Sequence, residues 1–317
     1  MGTGDETDPR TIRILQVDAF TDEPLTGNPA GVVPEGDGLS RSQMQSIARE
    51  MSLSETAFLL ESEVADWRIR YFTPAREVDL CGHATIGSFT HLYGAGAVDG
   101  TAGEPDGTAG ELATLETNVG ILEIEIDSDG TVWMAQDAPT ITEVTIDFGR
   151  LANALGIDRS ALETMNGNLP LAVSSTGLPF LIVPVTYLST LGDADPSMTD
   201  VEAITDEVGA IGIYAFTFDT LDGESTLHGR AFVPAAGVDE DPVTGTASGA
   251  VGAYLEQFGA LEPFPDELRL EQGHFLDRPG VVRVRLDGGV RVGGRGVTVL
   301  DGKIVVPPDE NDEILEV

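Results

Sequence analysis

Lysine is nearly missing from this 317-residue chain: Lys303 stands alone beside 16 arginines, and 17 basic residues face 54 acidic ones, a formal charge of −37. Such a chain repels nucleic acid and anionic membrane, and no basic stretch offsets the repulsion, so a polyanionic partner is excluded. Cysteine is reduced to Cys81, which rules out an intrachain disulfide and fits a reducing, cytoplasmic setting. No window approaches 18 consecutive apolar residues, and the opening MGTGDETDPR is acidic where a signal peptide has a basic region followed by an apolar one. Neither a membrane span nor a secretion signal is expected. Four scattered histidines and one cysteine make no HExxH, CxxC or histidine pair at ligand spacing, so no metal site is read. GxGxxG and Walker loops are also missing, and the chemistry is expected to be cofactor-free.

What is present is enough to fold. Hydrophobic residues make up 41% of the chain, and the mean hydropathy is near zero, unlike a disordered polyanion. A single core stops growing at roughly 250 to 300 residues, so two units of about 150 are the natural expectation. Abundant acid with almost no lysine fits a salt-rich, halophilic cytoplasm, where a Debye length of about 3 Å at 1 M screens the self-repulsion.

Strands are predicted at 12–18, 57–60, 67–72, 121–126, 132–135, 171–174, 180–185, 212–218 and 226–232, with four or five more in the last 50 residues. LTGNPAGVV reads as a turn. Ser40 and Gln43 make a capping box for one helix, and Asp147 and Gly156 start and stop another. Two further helices, HATIGSFTHLYGAGA after Gly82 and TASGAVGAYLEQF up to Gly259, are built of small residues and are expected to be closely packed. Residues 94–111, low in complexity, read as an exposed acidic loop. Strands outnumber helices, which favours an α+β fold over a doubly wound parallel sheet.

The chain also repeats itself. At an offset of 160 residues, Arg70, Phe72, Pro74, Ala75, Val78 and Asp79 match Arg230, Phe232, Pro234, Ala235, Val238 and Asp239. In both copies a strand reaches a proline, passes an acidic loop and enters a small-residue helix. Each helix start offers unpaired N–H groups and a positive partial charge to an anion, and two of them facing across a cleft would suit a small acid.

The strings LTGNPAGVV, LSETAFL, YFTPAREVDLCGHATIGSF, RAFVPAAGVDEDPVTGTASGAVGAYL and LEQGHFLDRPG resemble, in order and spacing, the PhzF-like phenazine-biosynthesis family. That family belongs to the diaminopimelate epimerase and proline racemase superfamily, and the resemblance runs from about Ile12 to Val306. It implies a duplicated diaminopimelate epimerase-like fold: two pseudo-symmetric halves, each a curved, mostly antiparallel sheet around a central helix, with the active site between them. The expected halves are residues 11–137 and 138–306, the last strands returning to the first half, with tails at 1–10 and 307–317.

The resemblance places the acid/base glutamate at Glu55, a substrate-facing aspartate at Asp241 and a proton-handling histidine at His83. On residue type alone Glu55 is equally a capping residue, His83 a structural histidine and Asp241 one acid among many. Gly82 belongs to the same GH pair, Gly245 and Thr246 would form the second anion well, and Asn28 and Ser54 would line the pocket. Serine is commoner in the family where Thr246 stands. Racemases of the superfamily use two cysteines; Cys81 fills the first position, and the second, sought near Val243, has no thiol.

The expected activity is a cofactor-independent isomerisation that moves a proton within a small carboxylic or amino acid. The alternatives are a non-catalytic small-acid-binding protein on the same fold and an amino-acid racemase or epimerase lacking the second thiol. Homodimers are common in the family, but no exposed apolar surface stands out in the sequence. If the acid excess is a salt-adapted coat, lowering salt from molar to millimolar should lower the thermal unfolding midpoint. A midpoint that is flat or rises would overturn that reading.

Overall fold

The structure, a computed structural model, describes residues 10–100, 112–163 and 169–309. Most of the loop expected at 94–111, and most of both tails, lie outside these residues. The first half contains β1 (Thr11–Ala19), β2 (Asn28–Val33), α1 (Arg41–Met51), β3 (Thr56–Leu60), β4 (Trp67–Phe72), β5 (Glu77–Val78), α2 (Gly82–Gly94), β6 (Ala113–Thr117), β7 (Gly120–Ile126) and β8 (Val132–Ala135). Then come β9 (Thr140–Glu143), α3 (Phe148–Leu155) and α4 (Ser160–Glu163). The second half runs through β10 (Ala172–Ser175), β11 (Pro179–Pro184), α5 (Leu188–Gly192), α6 (Met198–Val208), β12 (Gly212–Thr217), β13 (Leu227–Val233), β14 (Val238–Asp241), α7 (Gly245–Gln257), β15 (Leu268–Gln272), β16 (Gly280–Arg285) and β17 (Arg291–Gly294), and β18 (Gly296–Val305) closes the chain.

The pairing scheme is duplicated. β1–β2 and β10–β11 are antiparallel, and β2–β3 and β11–β12 are parallel, joined through α1 and through α5 with α6. β4 and β13 each hold an antiparallel two-sided neighbour set and one parallel partner, β6 or β15, reached through the central helix α2 or α7. β8 pairs antiparallel with β17 and joins the halves. Each half is edged by a strand that follows the other: β9 pairs with β10, and β18 pairs with β1 from Val305 opposite Thr11 to Gly296 opposite Ala19.

Local signals act as read at several points. Ser40 and Gln43 form the reciprocal capping box of α1, and Asp147 accepts from the Arg150 N–H at the start of α3, which stops at Gly156 in a left-handed conformation. LTGNPAGVV differs from the expectation: its second part is β2, pairing with both β1 and β3. Pro29 is tolerated as the second residue of the strand, where the missing N–H costs little. No element was expected at α6, whose buried face is only Val201, Ile204 and Thr205, too short a stripe to stand out among its acids.

The repeat is real but its spacing changes. Arg70 grips Glu77 through Nε and Nη2 at 2.7 and 2.8 Å and lies over Phe72; Arg230 grips Glu240 at 2.8 and 2.7 Å and lies over Phe232. Yet Phe72 faces Glu77 and Tyr71 faces Val78, whereas Phe232 faces Glu240 and Ala231 faces Asp241. The second loop is three residues longer, so beyond it Val78 corresponds to Asp241, not Val238, and the identity of Asp79 with Asp239 is not structural equivalence. The shift also corrects the second thiol position: the residue before α7, matching Cys81 before α2, is Thr244 and not Val243.

Both central helices are buried on most sides, α2 through Ala84, Ile86, Gly87, Ser88 and Phe89, and α7 from Ala247 to Leu255 without a break. At the seam of the halves Gly293 faces Trp133, whose indole is 1% exposed, donates to Asp127 at 2.8 Å and lies under the Arg285 guanidinium. His228, which stands in no motif, is fully buried with Nδ1 2.9 Å from Glu271. Among the described residues no helix is long and apolar enough to cross a membrane.

A Cβ at Gly293 would overlap the Trp133 ring. Gly293→Ala should therefore cost about 1–3 kcal/mol through overpacking, read as a lower denaturation midpoint with a shift in tryptophan emission. The Arg70 hydrogen bonds hold Glu77 at about 2. Burial opposes ionisation of Glu271, but His228 and the Leu221 and Asp222 N–H groups outweigh it and also hold it at about 2. Both values are depressed, so the stability they contribute is present above the ordinary value near 4.5 and is lost as pH falls from there toward 2. Acid titration should show this loss, and Glu77→Gln should make it shallower.

Candidate active site

α2 and α7 both begin at one cleft of about 920 Å³ lined from the two halves. Neither Cys81 nor Thr244, the residues preceding them, caps its helix with a side-chain hydrogen bond, unlike Ser40 and Asp147 at α1 and α3. The first-turn N–H groups at Gly82 and His83, and at Gly245 and Thr246, therefore open on the cleft with the positive helix ends behind them. Glu55, Ser54, His83, Gly82, Asp241, Gly245 and Thr246 all line this space. A separate cavity of about 420 Å³ contains none of them.

Glu55 sits between α1 and β3 and is pinned through its backbone, because its carbonyl accepts the Gly31 N–H at 3.0 Å. Its carboxylate Oε2 lies 3.3 Å from His83 Nε2, with side-chain exposures of 21% and 11%. Ser54 Oγ approaches the same nitrogen at 3.2 Å. With a proton on Nε2 the ring donates toward Glu55 and Ser54 Oγ can only accept from it; with Nε2 bare the ring accepts from Ser54 and has no hydrogen bond to offer the carboxylate, so the tautomer sets which contact is made.

Asp241 faces these groups from the second half and is more tightly held. Asn28 Nδ2 donates to Oδ1 at 2.9 Å and Thr244 Oγ1 donates to Oδ2 at 2.5 Å. Gln272, 1% exposed, donates from Nε2 to the Asp241 carbonyl at 2.8 Å and accepts the Thr244 N–H on Oε1 at 3.1 Å. Burial raises the proton affinity of Asp241, and the Glu55 charge adds to it; the His83 charge and the Thr244 and Asn28 hydrogen bonds act against both, but the net shift is upward.

Asn28 departs from its expected part. It is buried and does not line the cleft; its amide is taken by Asp241 and by the Val243 carbonyl at 2.8 Å, so it positions Asp241 across the seam. Its own place is fixed by Arg278, which reaches from the second half to the Thr26 and Gly27 carbonyls and to the fully buried Asp18. Thr244 and Gln272 were not singled out from sequence. The start of α7 and the LEQGHF string were the signals that could have found them.

Cys81 is buried, and its thiol backs His83, at 3.5 Å from Nδ1 and 3.9 Å from Nε2. Burial first, and then the Glu55 charge, push its pKa well up, so it is a thiol and not a thiolate base. At the opposite position the Thr244 hydroxyl is committed to Asp241. A pair of thiol bases is therefore not built here. Glu55, Cys81 and His83 do bring their donor atoms within 4.8 Å of one another, a grouping that linear spacing did not show. The thiol lies beside the ring, however, while the carboxylate faces Nε2. An ion at about 2 Å from Nε2 is out of bonding reach of the sulfur unless the imidazole turns.

The chain has known relatives. The family model for phenazine biosynthesis-like proteins, PhzC-PhzF, matches residues 17–302. The uncharacterized isomerase YfhB of Bacillus subtilis is 36% identical over 92% of this chain and 97% of its own. The trans-2,3-dihydro-3-hydroxyanthranilate isomerase of Pseudomonas chlororaphis is 33% identical over 92% and 98%. The crystal structure of a PhzF-family phenazine biosynthesis protein from Bacillus anthracis superposes with a TM-score of 0.83 at 35% identity, covering 94% of this chain and all of that one. A hydroxyproline epimerase from Agrobacterium vitis shares the fold alone, with a TM-score of 0.58 at 14% identity over 93% of this chain and 91% of that one. The duplicated α+β sheets, the cleft between two helix starts and these likenesses lead to one assignment: the chain belongs to the PhzC-PhzF phenazine biosynthesis-like family and is an isomerase.

Proposed function

We propose that the chain moves a proton within a small carboxylic or amino acid, using its own side chains and no cofactor, in a reducing interior. The observation that carries this is that Glu55 from the first half and Asp241 from the second both line one cleft at which two open helix starts meet, with His83 at 3.3 Å from Glu55. The helix N–H groups hold the substrate carboxylate. Glu55 takes a proton from a substrate carbon: the C–H bond breaks, a carboxyl O–H forms, and the electron pair spreads into the neighbouring unsaturated system. The same carboxyl then returns the proton to another carbon of that system, so the double bond has moved and atoms and electrons balance. Asp241, its proton affinity raised by burial, and His83 hydrogen-bond the substrate and offset the charge that develops.

Positioned acid/base groups are worth about 10²- to 10⁴-fold in rate. With a panel of amino and unsaturated cyclic acids in D₂O at high salt, the wild type should place deuterium on carbon, and Glu55→Gln should lower that rate by about 100-fold or more. Exchange unchanged in Glu55→Gln would remove the role given to Glu55. Thermal stabilisation by acids without exchange across the whole panel would favour a binding protein instead.

A further inference from the structure

We propose that Arg76 selects substrates carrying a second negative group, making this site one for dianionic acids. The inference rests on the isomerase cleft described above. Arg76 is the one lysine or arginine among the residues that line it. It is exposed and makes no ion pair among the described residues, although most arginines of the chain do. Its sequence neighbour Glu77 is not available to it. That carboxylate is gripped by Arg70 through both oxygens and by Arg41 at 2.7 Å.

The backbone beneath Arg76 is fixed. Thr73 N–H donates to the Arg76 carbonyl at 2.8 Å, Thr73 Oγ1 accepts the Arg76 N–H at 3.0 Å, and Gln45 holds the Thr73 carbonyl at 2.8 Å. The stem of this cation is thus anchored at the cleft while its exposed guanidinium stays free to meet a ligand, and the chain around it is strongly acidic. The wall contributed by the second half is largely apolar, with Leu178, Phe180, Ile211 and Val233. A cleft of about 920 Å³ exceeds what one carboxylate on a small carbon skeleton fills. The complementary ligand has an apolar body, one carboxylate at the helix starts, and a second anionic group reaching Arg76. Arginine suits this use because its planar fork meets a carboxylate with two parallel hydrogen bonds.

The test is binding, read by ligand-observed NMR at one fixed ionic strength, with matched probes: benzoate against the three benzenedicarboxylates, and hexanoate against adipate. At least one diacid should bind the wild type fivefold or more tighter than its monoacid. Arg76→Gln should erase that preference without changing monoacid affinity, Arg76→Lys should keep part of it, and Arg159→Gln, exposed in the second half and not among the residues that line the cleft, should keep all of it, which separates a local contact from net charge. No diacid preference in the wild type, whether the probes bind alike or none binds, overturns the proposal, as does a preference that survives Arg76→Gln. Glu55→Gln should lose isotope exchange and keep the preference. A preference without exchange in any protein would therefore sink the isomerase reading and leave Arg76 in its role.

Discussion

Two helices that aim their positive ends at the same space repel each other, and the fold is organised around holding them there. α2 and α7 would each gain from a capping side chain or from turning aside, yet Cys81 and Thr244 leave them uncapped. The arrangement persists because each helix is enclosed by its own curved sheet and because β8–β17, β9–β10 and β1–β18 lock the two sheets together. Carboxylates at the cleft supply part of the compensating charge. Asp241 is desolvated there, and Asn28, Thr244 and Gln272 hold it in place. The site is tuned by opposed demands: burial favours a neutral acid, whereas His83 and the hydrogen bonds favour the charged one.

The same logic of local compensation governs the rest of the charge. Some arginines are placed where a carboxylate would otherwise be stranded beneath the surface, as with Arg278 and the fully buried Asp18, or Arg230 and Glu240. Around Trp133 the pair Arg283 and Arg285 shares Glu267, and the Arg285 guanidinium sits 3.8 Å above the indole. Stacking on an aromatic face adds to the attraction of each pair. Basic residues are too few to balance the coat, and their pairs are divided between the interior and the surface, where Arg13, Arg150 and Arg295 meet exposed carboxylates.

Much of this was legible where the cause is local. The Ser40 capping box, the Asp147 and Gly156 boundaries and the limits of β4 follow from side chains within a few residues of each other. Glu55, His83 and Asp241 were singled out through motif strings, and all three line one cleft. Illegible were features that depend on pairing across the chain. The three-residue lengthening between Phe232 and Glu240 hid Thr244 as the partner of Cys81, since identical letters at Val238 and Asp239 pointed to the wrong register. Nothing near Asn28 shows that its amide reaches residue 241, and Gln272 acts on a residue 31 positions away.

The exchange of β9 and β18 also sets an order on synthesis. β1 leaves the ribosome long before β18, and its outer edge, from Thr11 to Ala19, is covered by a strand that ends at Val305. Until β18 has emerged, the nascent protein carries an unpaired edge of nine residues flanking its first core, a template for pairing with another chain. The first half is made early and finished last, so a chain truncated before residue 296 lacks the partner that closes it, and its exposed edge becomes a target for quality control.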